Sequence, residues 1–183
     1  MSNEFKKVKS EELISFATNV FQFYGLNYSN SRLWAEVLVW ANLRGVDSHG
    51  VLRIPLYTEY LEKGIINITP NLKLNPLSGA IARLDTDLAP GPVALKKGME
   101  VALSKAEEFN IGWCAISNMT HAGAVGYFSL LASKKGFAGI VMTASQPMMA
   151  YPGTHENVVS TNPIAISIPG NLNPPLLLDM STS

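Results

Sequence analysis

The chain has 183 residues, 47% of them hydrophobic and only 15% charged, and its fourteen basic and fourteen acidic side chains cancel to zero net charge. A protein that holds nucleic acid or an anionic membrane by counterion release needs a basic excess, and there is none here. One cysteine excludes an intrachain disulfide and a thiolate zinc site, and no apolar run approaches the roughly 18 residues of a membrane span.

The polar opening MSNEFKKVKSEE is unlike a signal peptide, so the expected location is the cytoplasm. In chain order, Ser10-Glu-Glu-Leu13 offers a helix N-cap followed by acidic residues in the first turn. Leu13, Phe16, Ala17, Val20 and Tyr24 follow helical spacing up to Gly25, a natural stop. A second helix is expected to open at Ser29 or Ser31, pass through Leu33, Val37, Leu38 and Ala41, and end at Gly45. A third runs to Glu62 before Gly64. The stretch 65–90, with Pro70, Pro76 and Pro90, predicts two short strands and loops. Gly91-Pro92 opens a helix to about Phe109, with Pro at a first-turn position where its missing N–H costs nothing. A strand from Ile111 to Ser117, a turn to Gly123, a helix from about Ala124 to Lys135 and a strand from Phe137 to Thr143 follow. Residues 145–163 read as a long ordered loop, and strands are expected at Ile164–Ile168 and Leu176–Asp179. Helices alternating with apolar strands predict an α/β fold behind a helical N-terminal subdomain. The expected division is residues 1–64 and 65–183. Cys114, in the apolar run Ile111–Ile116, reads as a buried thiol. The chain stops just after an apolar run enters a polar turn, which reads as a C-terminal truncation.

Three polar groupings stand out. In RGVDSHGVLRIPLY (residues 44–57), a helix capped by Ser48 would place His49, Arg53 and Tyr57 at i, i+4 and i+8 on one face. That face would combine an imidazole titrating near neutrality, a fork for a carboxylate and a phenol. Such equipment suits a small 2-oxo or 2-hydroxy acid. Pro55 argues for a helix starting near Ile54 instead, with His49 in a turn. The plainer reading is a solvated helix start with an Asp47–Arg53 surface pair.

The second grouping, Ser117-Asn-Met-Thr-His-Ala-Gly-Ala-Val-Gly126, puts His121 beyond the carboxyl end of a strand, where parallel α/β sheets gather their sites. Its Gly123/Gly126 pair is not the dinucleotide fingerprint, which needs a further leading glycine and a downstream acidic residue. The third pairs Ser160-Thr-Asn-Pro163 with Asp179-Met-Ser-Thr-Ser183. These turns offer donors and acceptors to a ribose, an amide or a phosphate, or else stabilise their own backbone. His155 has no metal-ligand spacing to the other histidines, and no metal is assigned.

Ala41-Asn-Leu-Arg-Gly-Val-Asp-Ser-His-Gly-Val-Leu-Arg53, the Asn-Met-Thr-His-Ala-Gly turn, Thr161-Asn-Pro163 and the closing Leu-Asp-Met-Ser-Thr-Ser resemble the type-2 malate/L-lactate dehydrogenase family. The likeness covers essentially the whole chain, as the N-terminal portion of a full-length member. The segment from Met119 to Phe128 looks most like the ureidoglycolate dehydrogenase branch. The resemblance implies a non-Rossmann α/β cofactor-binding fold, hydride transfer between a 2-hydroxy acid and its 2-oxo acid with NAD or NADP, no metal, and a homodimer. By position, it assigns Arg53 to the substrate carboxylate with help from Tyr57. The proton falls to His121, or to His49 with Ser48. The cofactor lining would be Ser145, Thr161, Asn162, Asp179, Met180 and Ser181. Three departures are visible. Gln146 stands where some relatives carry Asp or Asn, Thr154 stands in a usual Gly position, and Ser160 replaces the Gly before Thr-Asn-Pro. The last two bear on the loop's shape, because Gly tolerates φ > 0 where Ser and Thr do not.

On this reading His121 is the first choice for the acid/base, His49 the second, and Arg53 the anchor. Two other classes remain open: a truncated non-catalytic binding or assembly module of the same fold, and a non-redox lyase or racemase acting beside a carboxylate.

Overall fold

A computed structural model describes residues 7–182. The elements are α1 (Ser10–Phe23), α2 (Tyr28–Asn42), two single 3₁₀ turns (Asp47–His49 and Val51–Arg53), α3 (Ile54–Glu62), β1 (Lys73–Pro76), β2 (Ile81–Ala89), α4 (Gly91–Phe109), β3 (Trp113–Met119), α5 (Gly126–Ser133), β4 (Gly139–Met142), β5 (Met149–Ala150), β6 (Asn157–Val159), β7 (Ile164–Ile168) and β8 (Leu176–Met180). They make a mixed α/β fold, as the sequence predicts. Contacts group the chain into two compact units. The first holds residues through Lys73 with Asp85–Ala94 and Ile116–Ala124, and the second holds Leu74–Leu84, Leu95–Ala115 and the residues from Val125 onward.

In the first unit α1 packs on α2. The helix starts differ from expectation. α1 begins at Ser10 itself with Lys9 in the cap position and no side-chain cap. α2 is capped by Asn27, in extended backbone (φ −65°, ψ 158°), whose side chain accepts the Asn30 N–H at 2.9 Å. An extended residue with a short acceptor satisfies an orphan helix donor, which Ser29 and Ser31, already inside the helix, do not. The buried stripe of α1 is Ile14, Ala17, Thr18 and Phe21, whereas Phe16 is exposed. Phe21 stacks on Trp34 at 4.3 Å between centroids, and Trp34 meets Tyr57 at 4.8 Å. Each such pair contributes about 0.5–1.5 kcal/mol beyond the area it buries. This aromatic column carries the core directly under Tyr57.

β1, β2 and β3 form one sheet in that order. Backbone bonds from Trp113 N–H to Ala80 O and from Thr120 N–H to Ala89 O flank β2 and β3, so the two strands run in the same direction. α4 is the crossover that parallel strands require. β2 has nine residues to the seven of β3, and Asp87 and Leu88 near its end stand at positive φ.

In the second unit β4, β7 and β8 form an antiparallel sheet, with Ile140 opposite Ile166 and Ile166 opposite Leu178. α5 packs on one face of it. There the Ser133 hydroxyl donates to Ser167 Oγ and the Ser167 hydroxyl donates to Ser129 O, both at 2.6 Å, so the buried polar groups are paired. The other face presents Ile140, Met142, Ile168, Leu176, Leu178 and Met180 as exposed apolar side chains. The stretch expected as a loop over 145–163 contains the two-stranded β5–β6 hairpin. Its Pro, Gly and Asn content hid strands of only two and three residues. Cys114 is half-buried, and burial pushes its thiol pKa up. Among the described residues no helix is long and apolar enough to cross a membrane, and no group of three or more His, Cys, Asp or Glu could hold a metal ion.

Candidate active site

The RGVDSHGVLRIPLY stretch is not one helix. α2 ends at Asn42, and the chain turns back through N–H bonds from Arg44 and Val46 to Ala41 O, with Gly45 at φ 74°. The two 3₁₀ turns follow, and α3 starts at Ile54 with Pro55 in its first turn, where no donor is needed. Ser48 is therefore not a helix cap. It lies inside the first turn, with its Oγ 3.1 Å from His49 Nδ1. The simple i, i+4, i+8 face is replaced by a folded turn feeding a helix.

The turn still brings the expected groups together. The Arg53 Nε–H donates to Ser48 O at 2.6 Å, which aims the guanidinium from its own preceding turn. The surface pair between Asp47 and Arg53 does not form. Asp47 Oδ1 accepts from the Asn42 amide instead, and among the described residues Arg53 takes part in no ion pair. A guanidinium without its own carboxylate is ready for one brought by a ligand.

His121 enters from the loop after β3. Three sets of contacts hold the end of β3 and that loop. Thr86, buried on β2, donates its hydroxyl to Ser117 O (3.0 Å) and Asn118 O (2.9 Å). Asn118 sits at φ 55° with its amide on the Asp85 carboxylate. Thr120 bonds Ala89 O through both its N–H (3.1 Å) and its hydroxyl (2.9 Å). Gly91 lies against the loop so closely that a Cβ there would fall 1.9 Å from His121 O. The sequence reading missed these positions. A buried threonine on a strand and a glycine just before a helix proline were the available signals.

The result places Tyr57 Oη 2.8 Å from His121 Nδ1, with the His121 ring stacked near His49 at 5.7 Å and 23°. Tyr57 is only 1% exposed. Burial pushes its pKa up against the opposing pull of Arg53, so the phenol stays protonated. Crowding by protein atoms, then the His49 ring and then Arg53, push the His121 pKa down to about 4 from 6.5. His121 nevertheless keeps a solvent-accessible surface. The imidazole is therefore neutral at physiological pH. A neutral imidazole can take a proton from a hydroxyl or donate its N–H to a carbonyl oxygen.

The second unit holds the other expected residues as a separate group. Thr182 N–H and the Ser181 hydroxyl both donate to Thr161 O (3.0 and 3.1 Å), and the Thr182 hydroxyl donates to Asn162 O at 2.9 Å. The Thr161-Asn162 turn and the segment after β8 are thus stitched together. The Thr161 hydroxyl and the Asn162 amide have no partner among the described residues. Ser145 Oγ and the buried Ser160 Oγ bond each other. Asp179 Oδ2 accepts the Gly126 N–H at 2.9 Å, at the start of α5, where a carboxylate complements the helix dipole. Met180 lies on the exposed apolar sheet face. The Ser160 and Thr154 departures impose no strain, because the left-handed positions of this region are Asn162 (φ 36°) and Gly153 (φ 88°).

The sequence profile of the malate/L-lactate dehydrogenase family matches residues 8–183. Malate dehydrogenase of Pyrococcus abyssi is 37% identical over 183 residues, covering 100% of this chain and 50% of the relative. Ureidoglycolate dehydrogenase (NAD(+)) of Escherichia coli K12 is 38% identical over 177 residues, covering 97% and 51%. Among solved structures, malate dehydrogenase of Pyrococcus horikoshii OT3 superposes with a TM-score of 0.94 at 35% identity, over 100% of this chain and 52% of that one. Sulfolactate dehydrogenase of Methanocaldococcus jannaschii gives 0.90 at 38%, over 96% and 51%. The chain spans about half the length of the curated relatives it matches.

Proposed function

This chain belongs to the malate/L-lactate dehydrogenase family, and on that premise we propose that it serves an NAD(P)-dependent oxidoreductase interconverting a small 2-hydroxy acid and its 2-oxo acid. The observation that carries the reading is the cluster of Arg53, without a carboxylate partner of its own, beside the Tyr57–His121 pair.

Arg53 binds the substrate carboxylate bidentately and sets which face of the reacting carbon is presented. The His121 Nδ1–H donates to Tyr57 Oη in the tautomer that leaves Nε2 unprotonated, and Tyr57 thereby fixes the ring's orientation. His121 then handles the substrate oxygen: as a neutral base it takes the hydroxyl proton during oxidation. In reduction the ring, protonated at Nε2, returns that proton to the developing alkoxide, and a substrate carboxylate on Arg53 favours this by cancelling one of the charges that oppose the imidazolium. His49, with Ser48 on its Nδ1, is the second candidate for that proton.

The unpartnered Thr161 hydroxyl and Asn162 amide, with the Ser145 hydroxyl, fit the ribose and carboxamide groups of a nicotinamide dinucleotide. Asp179, Met180 and Ser181 complete the proposed lining. When bound, that cofactor supplies or accepts the hydride. A homodimer and a cytoplasmic location belong to the same proposal, through the family likeness.

The half-length match favours a second reading, a non-catalytic binding or assembly module of the same fold. Nicotinamide fluorescence and thermal stability on adding NADH or NADPH separate the two. Enhanced fluorescence with a raised Tm supports the oxidoreductase reading, and the absence of both leaves the module.

A further inference from the structure

Asn42 has no role in the reading above, yet its side chain spans the turn that carries His49 and leads to Arg53. It is the last residue of α2. Its Oδ1 accepts the Val51 N–H at 2.9 Å, and its Nδ2 donates to Asp47 Oδ1. One amide thus ties the start of the first 3₁₀ turn to the start of the second, with Ser48, His49 and Gly50 between the two attachments. Ser48 O within that bracket receives the Arg53 Nε–H. Gly50 completes the fit, because a Cβ there would fall 2.3 Å from Asn42 Oδ1. Its backbone, at φ −90° and ψ −159°, is extended and open to any residue, so glycine is required by the Asn42 side chain and not by conformation.

We propose that Asn42 is a positioning residue, whose bridge between Asp47 and Val51 holds the 47–51 turn so that the His49 ring and the Arg53 guanidinium face one ligand. The proposal rests on the dehydrogenase reading in that the groups aimed are its carboxylate anchor and its second acid/base histidine. A free turn of this length has many conformers. Closing it with two side-chain bonds reduces the ordering that ligand binding must otherwise supply.

The bridge has a charge-swap test. Asn42→Asp keeps the acceptor for Val51 but sets a second carboxylate against Asp47. Asp47→Asn leaves an acceptor for the Asn42 amide. Combining the two restores donor and acceptor with their identities exchanged and the net charge of the Asn42→Asp site relieved. Oxamate, a stable mimic of a 2-oxo acid, is titrated calorimetrically, and the ring ¹⁵N resonances of His49 are followed by NMR. Asn42→Asp is expected to weaken oxamate by roughly 3- to 10-fold, the value of about one hydrogen bond. Asp47→Asn stays near wild type, and the double variant recovers to within about twofold with the His49 resonances back in place. Gly50→Ala, which displaces the amide without straining the backbone, reproduces the Asn42→Asp loss and keeps the test open should that variant fold poorly. Unchanged oxamate affinity and His49 resonances in Asn42→Asp and Gly50→Ala overturn the proposal, as does a double variant no better than Asn42→Asp. If wild-type protein binds no oxamate, the dehydrogenase reading falls, and the His49 resonances across the same variants still decide the role of Asn42.

Discussion

Tyr57 Oη lies 2.8 Å from His121 Nδ1, joining the buried face of α3 to the loop after β3 across 64 positions of sequence. Tyr57→Phe removes this contact while leaving the ring against Trp34. The expected outcome is a fold weakened by about 1 kcal/mol, with turnover falling roughly 10-fold or more because the imidazole loses its orientation. Ring ¹⁵N spectra of His121 should then show mixed tautomers. Unchanged spectra would detach Tyr57 from the proton chemistry.

The depressed His121 pKa has a thermodynamic counterpart. Between pH 6.5 and about 4 the unfolded chain binds a proton at this ring that the folded chain refuses. Stability therefore rises with pH across that window and is eroded by acid until both states are protonated. Solvent access to the ring keeps the effect small. Melting curves from pH 7 to pH 4 should show a shallower acid-side decline in His121→Gln than in wild type, and equal declines would contradict the assignment.

Arg53 presents a planar fork, whereas lysine presents a point charge on a different stem. Arg53→Lys is expected to raise KM for a 2-oxo acid by roughly 10-fold or more, the value of about one charged hydrogen bond, with KM for the nicotinamide cofactor little changed. An equal rise in both constants would point to a general loss of structure.

Gly91 is held by contact, not by dihedral angle. Gly91→Ala sets a methyl 1.9 Å from His121 O, backbone against backbone, so the loop must move. A cost of about 1–3 kcal/mol is expected, together with displaced His121 resonances. A variant that melts like wild type would show that the loop yields without cost.

The sequence revealed the α/β class, the helix from Gly91 to Phe109 and the residues that meet around His121, because each rests on a local signal: a capping proline, an apolar run, a family motif. It was less informative where partners are distant. Asn27 caps α2 and the buried stripe of α1 runs through Ile14 and Phe21 instead of Phe16, since Trp34 on the next helix decides which face is covered. Ser48 looked like a helix cap because Ser usually is one, but the chain makes two 3₁₀ turns there, bracketed by Asn42. Thr86 and Gly91 matter through contacts with the end of β3 and the loop after it, which no spacing rule brings to them. Ser160 stands in the place of a family Gly without strain, because the left-handed residue is its second neighbour, Asn162.

The central claim is that Arg53 and His121 serve one hydride-transfer reaction on a 2-hydroxy/2-oxo acid pair. Loss of nicotinamide absorbance, measured for the purified protein with NADH or NADPH and a panel of 2-oxo acids, tests it most directly. The account predicts turnover with at least one acid, reduced roughly 100-fold or more by His121→Ala and shifted to high KM by Arg53→Lys. Turnover that survives His121→Ala at near wild-type rate, or no oxidation with any acid of the panel, would contradict it.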